Sequence, residues 1–155
     1  MEKQQIAALY SQYSQDVYRL ALGYLHSPYD AEDILQSVFL KLLNKDVILY
    51  PDKEKAWLLT CTANACKNHL RSFWQRNTQP LDDKMILPTE EDRSVWEAVG
   101  KLKPIYRAVI HLYYYEGYAQ EEIADILGIS RTAVQTRMQR AREHLKKELD
   151  ESGYL

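Results

Sequence analysis

Arginine, threonine and glutamine side chains recur along one face of a stretch near the C-terminal end of the chain. The residues that would share this face are Arg131, Thr132, Gln135, Thr136 and Gln139. Arginine and glutamine can form paired hydrogen bonds with base edges, and threonine can hydrogen-bond a base or touch the methyl group of thymine. Arg137, Arg140 and Arg142 are better placed to contact phosphates, and Arg140, at the edge of the face, also belongs to the base-contacting set. The chemistry indicated is contact with the major groove of duplex DNA.

The residues around this face have the spacing of a helix-turn-helix. Ala124 is small where two helices would cross closely, and Gly128 can take the left-handed conformation that ends the first helix. Ser130 would cap a second helix that begins at Arg131. The inward positions of that helix follow at helical spacing, and they are Val134, Met138, Ala141 and Leu145. Glycine turns also join ordinary helical hairpins, but all these residue types in one register favour DNA binding.

A second polar stripe lies on a helix predicted from Glu54 to about Arg76. The stripe consists of Asn64, Lys67, Asn68 and Arg71. The opposite, apolar stripe of the same helix consists of Leu59, Ala63, Cys66, Leu70 and Phe73. Amide side chains can hydrogen-bond unstacked bases, and basic groups can follow a phosphate backbone. Trp57 falls on the polar face, where it is either a stacking platform or a core anchor, and Trp74 is equally ambiguous.

The elements that must position these stripes are helices. Glycine and proline number only 5 each in 155 residues, about half their usual share, which favours long helices over a sandwich or barrel. The hydrophobic repeat predicts an all-α fold of two small helical domains, a three-helix bundle over residues 1–76 and a helix-turn-helix domain over 94–155. Residues 77–93 lose the repeat and form an acidic linker. Although the net charge of the chain is −2, residues 129–149 contain six basic residues and only two acids. Such a surface is suited to binding anions, but ordinary solvated helix faces carry such charges too.

Capping residues predict several helix boundaries. Ser27 and Pro28 mark the start of the second helix. Its inward residues are Ala31, Ile34, Leu35, Val38, Phe39, Leu42 and Leu43. The first helix of the second domain is expected to begin near Ser94. In the helix after Pro104, the inward residues are Ile105, Val109 and Leu112.

Other chemistries have little support in the sequence. Cys61 and Cys66 lie five residues apart on one predicted helix, about 7.5 Å between Cα atoms, which is beyond disulfide reach and favours a reducing, cytoplasmic compartment. With His69 they lack the paired spacing of a zinc site. No serine–histidine–aspartate arrangement or phosphate-binding glycine loop stands out, so we expect neither an enzyme nor a cofactor. The sequence contains no run of 18 apolar residues, so we expect no insertion into a membrane.

Two blocks of the sequence resemble conserved regions of bacterial sigma factors. The stretch from Glu121 to Leu145, together with Leu102–Tyr118 before it, resembles the fourth region of that family. Tyr29–Phe39, which contains Ala-Glu-Asp and Gln-x-x-Phe, resembles the second region, and Trp57–Leu58 and Asn64–Asn68 extend the match. Nothing between the blocks resembles the third region. The chain is therefore similar to the extracytoplasmic-function (ECF) group of the sigma-70 family.

The resemblance implies roles for particular residues. It implies that Glu32, Asp33 and Gln36 dock on the clamp helices of core RNA polymerase, with a further contact to the flap. It implies that the polar stripe from Asn64 to Arg71, with the loop at 46–53, binds the −10 promoter element and holds the opened single strand. The face between residues 131 and 140 would read the −35 element. A partner anti-sigma protein is also implied.

Two other classes of function stay open at the level of the sequence. A stand-alone helix-turn-helix regulator, with an N-terminal bundle for sensing or dimerisation, would bind a palindromic duplex without polymerase. An interaction adaptor that never touches DNA would show little salt dependence in any nucleic-acid affinity.

Ala119 stands where relatives often carry a capping serine or threonine, and Gln139 stands where they often carry an apolar or aromatic residue.

Overall fold

The computed structural model describes residues 1–44, 47–76 and 90–151. Within these ranges the regular elements are helices, with no strand, which confirms the all-α prediction. The described residues fall into two compact units, an N-terminal one that also takes in residues 126–128 and a C-terminal one. Most of the segment expected to be a linker, residues 77–89, lies outside the described residues.

The N-terminal unit contains three α-helices. They are α1 (Lys3–Leu25), α2 (Pro28–Leu40) and α3 (Glu54–Arg76), and a short 3-10 turn (Lys41–Leu43) follows α2. The bounds of α3 confirm the predicted helix from Glu54 to about Arg76. Long helices form here because the segments contain few breakers and alternate apolar and polar faces at the helical period.

A tight corner joins α1 to α2. The chain leaves α1 at His26, which has a left-handed φ of 55° and whose backbone N–H donates to the Leu22 carbonyl. Ser27 then caps α2 as predicted, since its Oγ accepts a hydrogen bond from the backbone N–H of Asp30 at 3.3 Å. Pro28 occupies the first helical position, where a missing N–H costs nothing. The corner therefore needs only local sequence signals to form.

The core of the N-terminal unit comes from all three helices. Its fully buried side chains are Val17, Leu20, Ala21, Ala31, Val38, Leu42, Leu58, Leu59, Ala63 and Cys66. Two of the inward positions predicted for the second helix are wrong: Leu43 is 52% exposed and Leu35 is only half-buried. The cause at Leu43 is that α2 ends at Leu40 and the chain tightens into the 3-10 turn, so the 3.6-residue period that predicted burial no longer applies.

The C-terminal unit contains four α-helices. They are α4 (Glu90–Gly100), α5 (Pro104–Ile110), α6 (Gln120–Leu127) and α7 (Arg131–Glu151), and α5 continues into a π-helical turn (His111–Tyr115). The buried side chains of this unit include Ala98, Leu102, Val109, Leu112, Ile123, Val134, Met138 and Ala141.

Helix α4 begins at Glu90, four residues before the start expected near Ser94. Residues 90–92 are Glu, Glu and Asp. Acids stabilise the positive N-terminal end of a helix dipole. The same acids that suggested a solvated linker therefore favour the first turn of a helix.

Helix α5 is buried on nearly every side. Tyr106, Arg107, Ala108, Val109 and Ile110 are all buried. Ile105, which was expected to point inward, is 37% exposed. The expectation was wrong because a helix that is covered all round has no single apolar stripe to read.

The buried Arg107 guanidinium completes the C-terminal end of α4. Its Nη1 atom donates to the carbonyl of Leu102 at 2.6 Å and contacts that of Gly100 at 3.4 Å. Burial lowers the pKa of Arg107 to about 10, so the group remains charged near neutral pH. A charged donor thus contacts the carbonyl of Gly100 at the end of α4 and that of Leu102 in the turn that follows.

Candidate nucleic-acid interface

The turn between α6 and α7 has the geometry that the sequence predicts. Gly128 has a φ of 68°, in the left-handed region, and ends α6. The next backbone N–H, that of Ile129, donates back to the Ala124 carbonyl at 3.0 Å. Ser130 then caps α7, because its Oγ accepts from the Ala133 backbone N–H at 3.0 Å. These contacts fix the direction in which α7 leaves the turn.

The start of α6 is capped in another way. Ala119 has no side chain that could cap the helix, but its backbone N–H donates to Glu122 Oε1 at 3.0 Å. This is one half of a capping box, in which the N3 glutamate reaches back to the N-cap backbone. The glutamate thereby satisfies one of the amide groups at this helix end despite the alanine.

Helix α7 presents the predicted polar face to solvent. The six residues assigned to −35 contact, Arg131, Thr132, Gln135, Thr136, Gln139 and Arg140, are all exposed. On the opposite side Val134, Met138 and Ala141 are buried, and Leu145 is half-buried. Because the apolar side is held in the core, the polar side is open along more than two turns.

Several side chains on this face already have partners. Arg131 Nη1 donates to Glu121 Oε1 on α6 at 3.0 Å. Thr136 Oγ1 donates to the Thr132 backbone carbonyl at 3.0 Å. The Gln139 amide lies 3.4 Å from Glu143 Oε1. These contacts orient the polar groups before any ligand arrives.

Two of the arginines assigned to phosphates, Arg137 and Arg142, differ in setting. Arg137 is half-buried, whereas Arg142 is exposed. Arg142 Nε donates to the Tyr114 hydroxyl at 2.9 Å, and its guanidinium carbon lies 5.8 Å and 5.7 Å from the ring centroids of Tyr113 and Tyr114. The tyrosines hold the cation by a hydrogen bond and by cation–π attraction. The sequence alone did not indicate this pairing.

In the N-terminal unit, α3 carries the second predicted stripe. Asn64, Asn68 and Arg71 are exposed and Lys67 is half-buried. On the apolar side, Leu59, Ala63 and Cys66 are fully buried, whereas Leu70 is half-buried. Trp57 is also half-buried, and the side chains of Phe73 and Trp74 lie outside the described set. The amide and basic groups therefore share an accessible face on a helix that the core holds in place.

The loop before α3 adds two apolar side chains that the sequence analysis did not single out. Ile48 and Tyr50 are 75% and 67% exposed. An exposed aromatic side chain such as Tyr50 can stack against an unpaired base. Residues 45 and 46 of the same loop lie outside the described ranges.

A third face, on α2, carries the predicted polymerase-contacting residues. Glu32, Asp33 and Gln36 are exposed, and the opposite side of the helix is buried. Tyr29 and Leu40, at 65% and 62% exposure, continue the line of Asp33 and Gln36 at helical spacing. The face therefore combines apolar and charged groups, as protein interfaces do. The helical spacing of Tyr29 and Leu40 from Asp33 and Gln36 is the sequence signal that could have revealed them.

Neither cysteine forms a disulfide. Cys61 is half-buried and Cys66 is fully buried, and burial raises the pKa of both thiols above the ordinary value. In the part of the chain that the structure describes, no three potential metal ligands cluster, and no helix is long and apolar enough to cross a bilayer.

Comparison with known families gives two matches. The sigma-70 region 2 family matches residues 9–76, and the sigma-70 region 4 family matches residues 92–145. RNA polymerase sigma factor SigV of Bacillus subtilis is 31% identical over 137 residues, which span 83% of this chain and 81% of SigV. The ECF RNA polymerase sigma factor SigX of the same organism is 28% identical over 159 residues, spanning 92% of this chain and 82% of SigX.

Two solved structures share the fold. The sigma factor RpoE, in complex with the anti-sigma factor NepR from Bartonella quintana, has a TM-score of 0.76 and 22% identity, and 96% of each chain is covered. CnrH, in complex with the cytosolic domain of CnrY, has a TM-score of 0.67 and 24% identity, covering 96% of this chain and 90% of CnrH.

Proposed function

Because the chain belongs to the ECF group of the sigma-70 family of RNA polymerase sigma factors, we propose that it binds core RNA polymerase, directs it to −35 and −10 promoter elements and helps to open the DNA. The observation that carries this proposal is the exposed polar face of α7 behind the Gly128 turn and the Ser130 cap. The α3 stripe and the α2 face supply the other two contacts that the proposal needs.

The proposed −35 contact follows the chemistry of the α7 face. Its N-terminal end enters the major groove, as in other helix-turn-helix domains. Arg131 and Gln135 pair with base edges there. Thr132, Thr136 and Gln139 hydrogen-bond neighbouring bases or, for threonine, touch the methyl group of thymine. Arg137, Arg140 and Arg142 contact phosphates, which position the helix without reading sequence.

The proposed −10 contact uses α3 and the loop before it. The amides of Asn64 and Asn68 hydrogen-bond the edges of unpaired bases, and Lys67 and Arg71 follow the backbone of the displaced strand. Each step of the duplex that opens costs about 1.4 kcal/mol of stacking on average. Contacts to the captured strand must offset that cost.

Core polymerase is the proposed partner of the α2 face. Glu32, Asp33 and Gln36 offer acceptors and charge, and the exposed Tyr29 and Leu40 offer apolar area beside them. The clamp helices of core polymerase dock on this face, with a further contact between the C-terminal unit and the flap. An anti-sigma protein is a second proposed partner, since RpoE forms a complex with the anti-sigma factor NepR.

The polymerase contact is tested by a charge reversal with a matched control. Asp33→Arg should lower the affinity for core polymerase by about tenfold or more, because the change reverses a charge within a docking surface. Glu97→Arg makes the same change at an exposed acid of the C-terminal unit and should leave that affinity within about twofold. Equal affinities for the Asp33→Arg protein and the parent protein would contradict the assignment of the α2 face.

DNA binding separates this proposal from a stand-alone regulator. The chain alone should bind a promoter duplex weakly, and addition of core polymerase should raise the affinity strongly. A regulator would instead bind a palindromic duplex tightly as a dimer without polymerase. Tight, polymerase-independent binding of that kind would refute the proposal.

A further inference from the structure

An exposed ion pair joins Glu121 on α6 to Arg131, a residue of the proposed DNA-binding face on α7. Arg131 Nη1 lies 3.0 Å from Glu121 Oε1, and the two side chains are 59% and 73% exposed. We infer that Glu121 is a specificity-determining residue, which positions Arg131 to read one base pair of the −35 element. This inference rests on the proposed function and deepens it.

The geometry of the pair is set by the two helices rather than by the side chains alone. Glu121 lies in the first turn of α6, and Arg131 is the first residue of α7. The Gly128 turn and the Ser130 cap fix the start of α7 relative to the end of α6. The carboxylate therefore meets the guanidinium across a turn of defined shape.

The contact with Glu121 leaves other N–H donors of the Arg131 guanidinium free to contact a base. A guanidinium has five N–H donors, and the bond to Glu121 uses one of them on Nη1. The remaining donors include a parallel pair, which is what bidentate recognition of a guanine O6 and N7 requires. Since the free arginine side chain has many rotamers, holding one edge reduces the freedom that must be lost on binding.

The charge of Glu121 should also lower the affinity for DNA that offers Arg131 no matching base. A carboxylate at the edge of the groove is repelled by phosphates, and this repulsion is present on every DNA sequence. Only DNA that offers Arg131 a matching base edge regains the lost affinity. Glu121 should therefore lower non-specific binding and sharpen the preference at one base pair, because specificity depends on the difference between the two affinities.

The test uses the full chain with core RNA polymerase and a promoter library randomised across the −35 element. Arg131→Ala should flatten the base preference at one position of the element. Glu121→Gln should reduce the preference at that same position by about two- to fivefold, the range of an exposed ion pair, and should raise affinity for unrelated duplex. The double variant should be no flatter there than Arg131→Ala.

Asp125→Asn is the matched control, because Asp125 is an exposed acid one turn further along α6. It removes the same charge and should leave the preference at the Arg131 position unchanged. A purely electrostatic or structural role for Glu121 predicts instead that both substitutions alter affinity equally and neither alters base preference, and that outcome overturns the inference.

Failure of the inference can be told apart from failure of the proposed function. If the parent chain directs initiation but Glu121→Gln keeps the parental preference at every position, the inference is wrong and the sigma-factor proposal survives. If Arg131→Ala leaves every preference intact, the inference is wrong as well. If the parent chain selects no promoter sequence with core polymerase, the proposed function itself fails.

Discussion

Replacement of Gly128 by alanine isolates the energetic cost of the turn that orients α7. Gly128 has a φ of 68°, and a Cβ added there would meet no atom within 4 Å. Any destabilisation must therefore come from backbone conformation and not from a clash. The substitution is a clean measure of how strongly the helix-turn-helix depends on a left-handed residue.

The expected magnitude has two opposing parts. An L-residue in the left-handed region costs about 1–2 kcal/mol. Alanine also restricts the unfolded chain, which stabilises the folded state by about 0.4–1 kcal/mol. The net loss for Gly128→Ala is then about 1 kcal/mol, a roughly fivefold rise in the open population of the C-terminal unit. Gly128→Asn should lose less than half of this, because asparagine tolerates the left-handed conformation.

Native-state hydrogen exchange measures this loss in the unit that carries it. Peptides from α6 and α7 should lose protection in Gly128→Ala, whereas peptides from α1 and α2 serve as an internal control and should not change. Gly117 also has a positive φ, 72°, with nothing within 4 Å of an added Cβ, so Gly117→Ala should show a similar loss. The reasoning is refuted if Gly128→Ala keeps the parental protection, or if the asparagine variant is as unstable as the alanine variant.

Three further predictions concern single side chains. Arg140→Ala should lower the slope of log affinity against log salt for promoter duplex by about 0.9 if Arg140 contacts one phosphate; an unchanged slope in a salt titration would contradict that contact. Ser130→Ala should destabilise the C-terminal unit by about 1 kcal/mol in urea unfolding and Ser130→Gly by only a few tenths; equal losses would show that the observed cap bond contributes little. At pH 8 iodoacetamide should modify Cys61 faster than Cys66, because Cys66 is fully buried and burial raises its pKa further. Equal labelling rates of the two thiols in the folded protein would contradict this order of reactivity. The stability that the neutral thiols contribute to the folded state should be lost as the pH rises above 9.0, the ordinary pKa of a cysteine thiol.

Local sequence signals predicted the features that depend only on neighbouring residues. The Ser27 and Ser130 caps and the positive φ of Gly128 are confirmed, since each is decided within four residues. The resemblance to the ECF group is confirmed by the two family matches and the similarity to SigV. The roles assigned to single residues on α2, α3 and α7 stay predictions.

Features that depend on distant residues were not predictable in this way. Leu43 was expected to be buried because a helical period was extended into a 3-10 turn, and Ile105 because α5 was expected to have one apolar side. The partner of Arg131 is ten residues away and that of Arg142 is 28 residues away. Periodicity along a single helix carries no information about such pairs, because they depend on how two helices pack.

Run-off transcription tests the central claim most directly. Purified core RNA polymerase and the full chain are incubated with a library of promoter fragments, and the transcripts are sequenced from their 5′ ends. The account predicts transcripts with defined starts that require the chain and that share two upstream sequence elements. Transcription that is equally random with and without the chain would contradict it.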